Sequence, residues 1–389
     1  MLSRIFKDDT FQFGAGNISG YIACLLSVLS FLGVLAFHFP QYLTTPELRQ
    51  AYDVEFLRQL MFWSMVLAGS LGLLNFVRNR QKRMGAFAWI FLILTILLGG
   101  HRVEVGEFSS PALYLGMDWF ILDLLGSTLV FIFIEKLIPH NRQQAVLRPE
   151  WQGDLNHFFV NHLIVGFVLL VTNLFVHKAF GWAVFAEVQD FIAGLPLLAQ
   201  IFLIVLAADL VQYSAHRAYH EVPVLWRFHA VHHSAKHMDW LAGSRQHILE
   251  LIATRCLVLT PIFVLGFSKQ VIDIYVIIVG LQAVFNHANV NIRFGWLKYI
   301  IVTPQFHHWH HSSDDAAIDR NYAAHFAFLD YLFGTAVRGQ KEWPDAYGVV
   351  GDYVPVGMFR QQLFPFQSVT RMVKAKFRAR AERDRRQDG

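Results

Sequence analysis

Cysteine is the scarcest reactive residue in this sequence. The 389 residues include two cysteines, Cys24 and Cys256, and each lies within a long apolar run. Two isolated thiols exclude a disulfide framework and an iron–sulfur cluster held by cysteines. The thiolate ligands of a structural zinc site are also missing. Any iron–sulfur or rubredoxin-type electron carrier must therefore be a separate chain.

Charged residues are also few. Asp, Glu, Lys and Arg make up 16% of the sequence against 54% hydrophobic residues, and the mean hydropathy is +0.37. Soluble domains carry about 25% charged residues, and several apolar runs here are long enough to cross a bilayer. The net charge of +4 comes from cations in short loops and at the C-terminus, which argues against nucleic acid as a partner. We predict an all-α, polytopic integral membrane protein.

Eight apolar runs are predicted to span the membrane. Their bounds are 17–39, 56–77, 86–100, 112–134, 155–177, 197–214, 249–267 and 269–290. The N-terminus lacks a short apolar region followed by a small-residue cleavage site, so the first run is expected to remain as a span. Residues 78–83 (RNRQKR) form the most cationic loop between spans. The positive-inside rule places that loop, both termini and the histidine clusters in the cytoplasm.

Three regions are expected along the chain. They are a transmembrane module of unknown role at 1–111, a catalytic region at 112–340 and a basic tail at 341–389. Within the tail, residues 366–381 place four apolar side chains at helical spacing among five cations. This pattern is typical of an amphipathic helix on an anionic membrane surface, and a solvated tail is the alternative.

The histidines of this sequence have an unusual spacing. One pair has i, i+4 spacing and two triplets have the spacing H-x-x-H-H: His216 and His220; His229, His232 and His233; His307, His310 and His311. Residues at i and i+4 share a helix face. Within each triplet we expect the i and i+3 pair to converge and the adjacent histidine to point about 100° away. One triplet can then serve two metals, and the two triplets together would enclose a dinuclear centre.

The ligand type limits the metal. Imidazole suits iron, zinc, copper and nickel, and the absence of an HExxH motif removes the general base of a zinc protease. His287 ends an apolar span, where a buried imidazole needs a partner, so we expect it to be a ninth ligand. The role of His247 is left open, because its neighbour Glu250 could simply pair with Arg245.

The remaining histidines are expected outside the metal site. We place His237, His308 and His325 around the ligands or at the surface, and His38, His101, His140, His157, His162 and His177 at membrane interfaces. Side chains that could orient the ligand imidazoles through their free N–H groups are Asp209, Glu221, Asp239, Asn286, Asp319 and Asp330.

The three histidine motifs resemble those of the fatty acid hydroxylase superfamily, which includes sterol desaturases, sterol methyl oxidases and alkylglycerol monooxygenase. The likeness continues in Thr303-Pro304 before the last motif, and in Asp319-x-Asn321-Tyr322 and 330–335 (DYLFGT) after it. It covers roughly residues 135–335. Two departures stand out: Ala323 replaces a frequent glycine, and the region around His287 offers one histidine where the family can have two, with Gln282 or Asn286 nearby.

The resemblance implies a cytoplasmic centre of two Fe ions held by the histidines and an O2-dependent attack on a lipid C–H bond. The lipid would be a sterol, a fatty acyl chain or a related molecule, and the reaction either hydroxylation or desaturation. We expect Glu221 and Asn289 to take part in catalysis, and a ferredoxin or a cytochrome with its reductase to supply electrons. The expected location is a bacterial inner membrane.

Two alternatives remain. The step His220-Glu221 is similar to alkylglycerol monooxygenase, which would imply pterin-dependent oxidation of an ether lipid. A transition-metal transporter is the other alternative. A transporter should place ionisable ligands at mid-membrane across several spans, whereas the histidine motifs here fall at one predicted face of the membrane.

Overall fold

The structure is a computed structural model that describes residues 18–49, 51, 53–78, 82–106, 114–338, 342–351 and 353–367. The polar lead at 1–16 and most of the predicted amphipathic segment at 366–381 lie outside the described residues, as does the predicted domain boundary at 111/112. The described residues are helical and contain no β-strand. The predicted all-α class is therefore confirmed.

The chain forms two compact units, Met1–Trp119 and Phe120–Gly389. The first contains α1 (Ile18–His38), α2 (Pro40–Leu43), α3 (Pro46–Arg49), α4 (Val54–Arg78) and α5 (Arg83–Leu97). Helices α1, α4 and α5 pack against one another. A Cβ on Gly85 of α5 would lie 2.7 Å from the Gly72 carbonyl oxygen of α4, so only glycine permits this close approach of the two backbones.

The second unit carries the remaining helices. In order they are α6 (Met117–Leu137, which begins in the first unit), α7 (Trp151–Leu163), α8 (Val165–Phe180), α9 (Ala186–Ala193), α10 (Leu197–Glu221), α11 (Pro223–His233), α12 (Ile248–Leu265), α13 (Lys269–His287), α14 (Pro304–His310), α15 (Phe328–Phe333) and α16 (358–367).

Eight helices of the described chain are long and apolar enough to cross a membrane, which agrees with the predicted number. They are Ser19–His38, Val54–Arg78, Arg83–Arg102, Met117–Leu137, Gly166–Ala183, Leu197–Glu221, Ile248–Leu265 and Lys269–His287. The protein is therefore an integral membrane protein.

The predicted fifth span, 155–177, has the wrong bounds. The structure divides this stretch at Ile164 into α7 and α8, and the apolar span is Gly166–Ala183. Helix α7 is polar because its side chains bind loop residues: Asp154 is buried between two arginines, and the Asn161 amide donates to the Ser244 carbonyl. Hydropathy averaged over the whole stretch merged a polar helix with the span that follows it.

Helices α10, α12 and α13 form the core that positions the histidines. Ile204, Ala208, Ile262 and Val271 are buried where the three helices meet. Helices α12 and α13 form a tight hairpin at Gly266, whose φ of 68° is the left-handed conformation that favours glycine. Since α12 and α13 run in opposite directions, the start of α12 and the end of α13 lie at the same end of the bundle.

Candidate metal centre

The structure brings all nine predicted histidine ligands together in two groups. The first group consists of His216, His220, His229, His233 and His310, and the second of His232, His287, His307 and His311. Within each group the potential ligand atoms lie within 4.8 Å of one another. The nine side chains come from the end of α10, the end of α13, the short helices α11 and α14, and the residue that follows α14.

The pairing expected within each triplet is wrong. In α11, His229 joins the i+4 residue His233 in the first group, while the i+3 residue His232 belongs to the second. The i and i+4 positions differ by about 40° around a helix and the i and i+3 positions by about 60°. The triplet in α14 divides in the same way: His307 and His311 lie together, and His310 joins the other group. Each triplet does reach both groups, as the sequence predicted.

Hydrogen bonds at the back of the rings fix several tautomers. Nδ1 of His216 lies 2.6 Å from the carbonyl oxygen of Tyr322. Nδ1 of His232 lies 3.0 Å from the carbonyl oxygen of Arg245. The corresponding contacts are 2.7 Å for both His287 and His310, to the carbonyl oxygens of Ala283 and Arg320 respectively. A carbonyl only accepts, so Nδ1 carries the proton and Nε2 is left with a lone pair for a metal.

These lone pairs point at one another. The Nε2 atoms of His216 and His229 are 2.9 Å apart, and those of His232 and His287 are 3.4 Å apart. Nδ1 carries the proton in both His232 and His287, so no proton is available between their Nε2 atoms, and a cation is the partner that makes the contact favourable. Ligand–metal distances of about 2.0–2.1 Å place neighbouring nitrogens about 3.0–3.4 Å apart. The His310 Nε2 atom is buried and has no hydrogen-bond partner. The residues therefore fit two bound cations.

The electrostatics favour metal over protons. Burial, reinforced by the charges of neighbouring imidazoles, lowers the pKa of His233, His310 and His311 well below the ordinary histidine value. The rings are therefore neutral at physiological pH. A neutral imidazole is the form that binds a metal ion.

Two carboxylates contact ligand imidazoles, and sequence reasoning found only one of them. Asp319, one of the predicted orienting residues, lies 3.3 Å from Nδ1 of His220. Glu250 lies 2.7 Å from Nδ1 of His229, and its second oxygen is buried without a partner. The suggested pair of Glu250 with Arg245 does not form in the structure. Arg245 instead pairs with Asp154 and Glu150, which leaves Glu250 to orient His229.

The segment after the last triplet presents backbone carbonyls to the rings. Asp319 and Asn321 adopt φ values of 56° and 60°. The residue after each of them presents its carbonyl to a ligand: Arg320 accepts from His310, and Tyr322 accepts from His216. The Asn321 amide donates to the Phe306 carbonyl, which ties this segment to α14. The Asp330 carboxylate accepts from the N–H groups of residues 322 and 323 and from the Thr335 hydroxyl. The motif at 319–335 thus shapes a loop that orients two ligands.

The other expected orienting residues act on the backbone or on arginine. Asp209 accepts from the N–H groups of residues 324–326, Asn286 donates to the Ala324 carbonyl, and Asp239 pairs with Arg148. Of the two predicted catalytic residues, Glu221 is exposed and paired with Arg217. The amide of Asn289 bonds the backbone of Asn141. Neither side chain belongs to the two histidine groups, and their catalytic roles stay predictions.

The remaining histidines lie outside both groups. His247 caps α12, accepting from the Leu249 N–H, and its Nε2 atom contacts the Gln362 carbonyl. His308 is buried between the Tyr347 hydroxyl and the His287 carbonyl, so it supports the backbone of a ligand. His325 contacts the Gln282 side chain.

A buried ion-pair network supports the second group. The Asp154 carboxylate lies between Arg148 and Arg245, and Arg148 also contacts Asp239. The Arg245 carbonyl is the group that accepts from Nδ1 of His232. Removal of one charge from this network would therefore disturb both the packing and the orientation of a ligand.

Gly243 leaves space for the imidazole of His287. A Cβ atom at this position would lie 2.8 Å from Nδ1 of His287. No pattern in the sequence predicts this role, because Gly243 lies in a short loop between the histidine motifs.

A cavity of about 150 Å³ connects the two groups with the helical spans. Its inner wall includes imidazoles of both groups, and α10, α12 and α13 form the sides through residues such as Val258 and Val279. An apolar chain that entered between these helices would therefore meet the histidines.

Comparison with known proteins gives one family. Residues 201–335 match the sequence model of the family described as fatty acid hydroxylase. The chain is 27% identical over 256 residues to the ornithine lipid hydroxylase of Rhizobium tropici, which covers 64% of this chain and 76% of that protein. It is 32% identical over 130 residues to the alkylglycerol monooxygenase of Homo sapiens, covering 33% of this chain and 29% of that protein. No solved structure matches the chain.

Proposed function

The chain belongs to the fatty acid hydroxylase superfamily, and we propose that it is a membrane di-iron oxygenase that hydroxylates a lipid C–H bond with O2 and externally supplied electrons. The observation that carries the proposal is the pair of histidine groups, whose Nε2 lone pairs converge beside a cavity between the spans. Iron fits a set of nine neutral imidazoles without thiolates. Bound iron would supply the activation of O2.

The protein's own residues would perform three tasks. The outward hydrogen bonds of Nδ1 hold the imidazoles in the tautomer that binds metal. The walls of α10, α12 and α13 position an acyl chain against the two groups. The burial of the histidines keeps bulk water away from the reacting carbon.

Hydroxylation is favoured over desaturation, because the relatives named above are a hydroxylase and a monooxygenase. The bacterial relative is matched over most of its length, so an amino-acid lipid of the ornithine type is the first substrate to test. The match to alkylglycerol monooxygenase supports a second candidate, pterin-dependent oxidation of an ether lipid. The two are separated by whether turnover needs a ferredoxin or cytochrome donor, or a reduced pterin.

We also propose that the histidine end faces the cytoplasm of a bacterial cell, together with both termini. The cationic loop at 78–83 supports this orientation. A reporter enzyme that is active only outside the inner membrane, fused at the C-terminus, should then be inactive. An active fusion would reverse the proposed orientation.

The function is tested first by metal content and Mössbauer spectroscopy of protein purified in mild detergent from iron-supplemented cells. Two irons per chain are expected, with loss of iron in the His233→Ala and His311→Ala variants. Lipid turnover with O2 and reductant is then assayed on the iron-loaded protein. A single zinc ion, or metal content unaffected by both substitutions, would contradict the proposal.

A further inference from the structure

Three polar side chains of the helices α10, α12 and α13 line the cavity without a hydrogen bond or an ion pair to any residue that the structure describes. They are Gln212 in α10, Arg255 in α12 and Tyr275 in α13, so each of the three helices contributes one. Arg255 is exposed, whereas Tyr275 is buried. Polar groups that have no partner within the protein are the ones that can orient a ligand in such a site.

Arg255 is the unusual member of this set. It is the eighth residue of an apolar helix that is long enough to span the membrane. A charged side chain within a span is costly, and it normally has a partner or a function. The carboxylate that also lines the cavity, Glu250, is bonded to His229 instead. The positive charge of Arg255 is therefore available to a ligand.

The chemistry of the three side chains selects the class of ligand. The Arg255 guanidinium, the Gln212 amide and the Tyr275 hydroxyl can all donate hydrogen bonds. A guanidinium pairs best with a carboxylate or a phosphate, whose oxygens match its planar array of donors. Three donors and one positive charge at the same cavity therefore fit an oxyanion.

We propose that Arg255, with Gln212 and Tyr275, binds the oxyanion of an acidic lipid headgroup and so selects lipids with a carboxylate or phosphate over neutral lipids. This inference rests on the proposed function, because it names the substrate class of the same site. Arg255 here is a specificity-determining residue.

The position of Arg255 also limits which carbon can react. Arg255 follows Glu250, which contacts His229, by five residues or about 7.5 Å of helical rise. Side chains on a helix lean towards its N-terminus, so the guanidinium is directed back towards the histidine end. This distance is shorter than one leaflet of the hydrocarbon core, which is about 15 Å thick. The oxidised carbon should therefore lie in the half of the substrate nearer to the headgroup.

The test measures lipid binding without O2, so that no turnover is needed. The full chain in a neutral detergent is titrated with dodecanoate, dodecyl phosphate or dodecyl glycerol, and bound ligand is counted by native mass spectrometry. The variants are Arg255→Gln and Arg255→Lys. Arg293→Gln is the matched control, because Arg293 is exposed and does not line the cavity.

The wild-type protein should prefer at least one of the two anionic ligands over dodecyl glycerol. Arg255→Gln should weaken binding of that ligand about 10- to 100-fold, the effect of losing a charge-assisted hydrogen bond, and leave dodecyl glycerol unchanged. Arg255→Lys should retain part of the preference, and Arg293→Gln all of it. Preference for dodecanoate identifies a carboxylate headgroup, and preference for dodecyl phosphate a phosphate headgroup. An unchanged preference in Arg255→Gln would overturn the proposal.

The two proposals can fail separately. If the wild type shows Arg255-dependent selectivity but oxidises none of the lipids with O2 and reductant, the proposed oxygenase function fails and the binding site stands. If the wild type oxidises lipids and Arg255→Gln oxidises acidic and neutral lipids in the same ratio, the selectivity site fails and the oxygenase stands.

Discussion

Replacing Glu250 by glutamine tests how the first histidine group holds its ion. The Glu250 oxygen lies 2.7 Å from Nδ1 of His229, and an amide oxygen can accept from the same N–H. The substitution therefore keeps the shape of the contact and removes the negative charge. A carboxylate makes the imidazole a stronger ligand, and loss of such a partner costs about 10- to 100-fold in metal affinity, or about 1.4–2.7 kcal/mol. We expect this loss for the first group alone.

The measurement is a chelator titration of iron-loaded protein in detergent. Glu250→Gln should release one ion at a chelator concentration about 10- to 100-fold lower than wild type does, and the other ion at the wild-type concentration. Glu187→Gln, an exposed change in α9 of the same unit, serves as the matched control and should behave as wild type. Two results would refute the reasoning: wild-type release from Glu250→Gln, or early release of both ions together with a lowered melting temperature.

Three further substitutions probe the supports of the site. Gly243→Ala should displace the His287 ring, because the new Cβ would lie 2.8 Å from its Nδ1. Metal analysis should then show loss of the second ion. The control Gly153→Ala should keep both ions, because nothing lies within 4 Å of a Cβ at that position. Asp154→Asn should lower the free energy of unfolding by about 3–5 kcal/mol, because a buried ion pair is broken on one side, and a thermal melt that matches wild type would contradict this. His310→Ala removes one ligand of the first group, so we expect one ion per chain and no turnover in a protein that still inserts in the membrane; retained turnover would count against the site as a whole.

The sequence predicted the parts of the molecule that depend on spacing and hydropathy. Eight spans follow from long apolar runs, and eight of the histidines follow from helical repeats that no packing requirement explains. His287 follows from its place at the end of a span. The fifth span was misplaced because the polar helix α7 adjoins α8 with one residue between them. Local averages cannot show that the polar side chains of α7 are satisfied by a distant loop.

The contacts that orient the imidazoles could not be predicted. Glu250 is three residues from His247 and five from Arg245, and the sequence alone left a local pair with Arg245 open. The tertiary fold gives Arg245 to Asp154 and Glu250 to His229. Backbone carbonyls hold four other imidazoles. Every residue has a carbonyl, so the residue types do not reveal these contacts.

Because each triplet is divided between the two groups, α11 and α14 each connect the two groups rigidly. The adjacent residues His232 and His233 lie on one helical turn but belong to different histidine groups. A small rotation of either helix would press one imidazole against its ion and withdraw its neighbour from the other. Any event that tightens the ligands of one ion would therefore loosen those of its companion, so the affinities of the two ions should vary in opposite directions when either helix is perturbed.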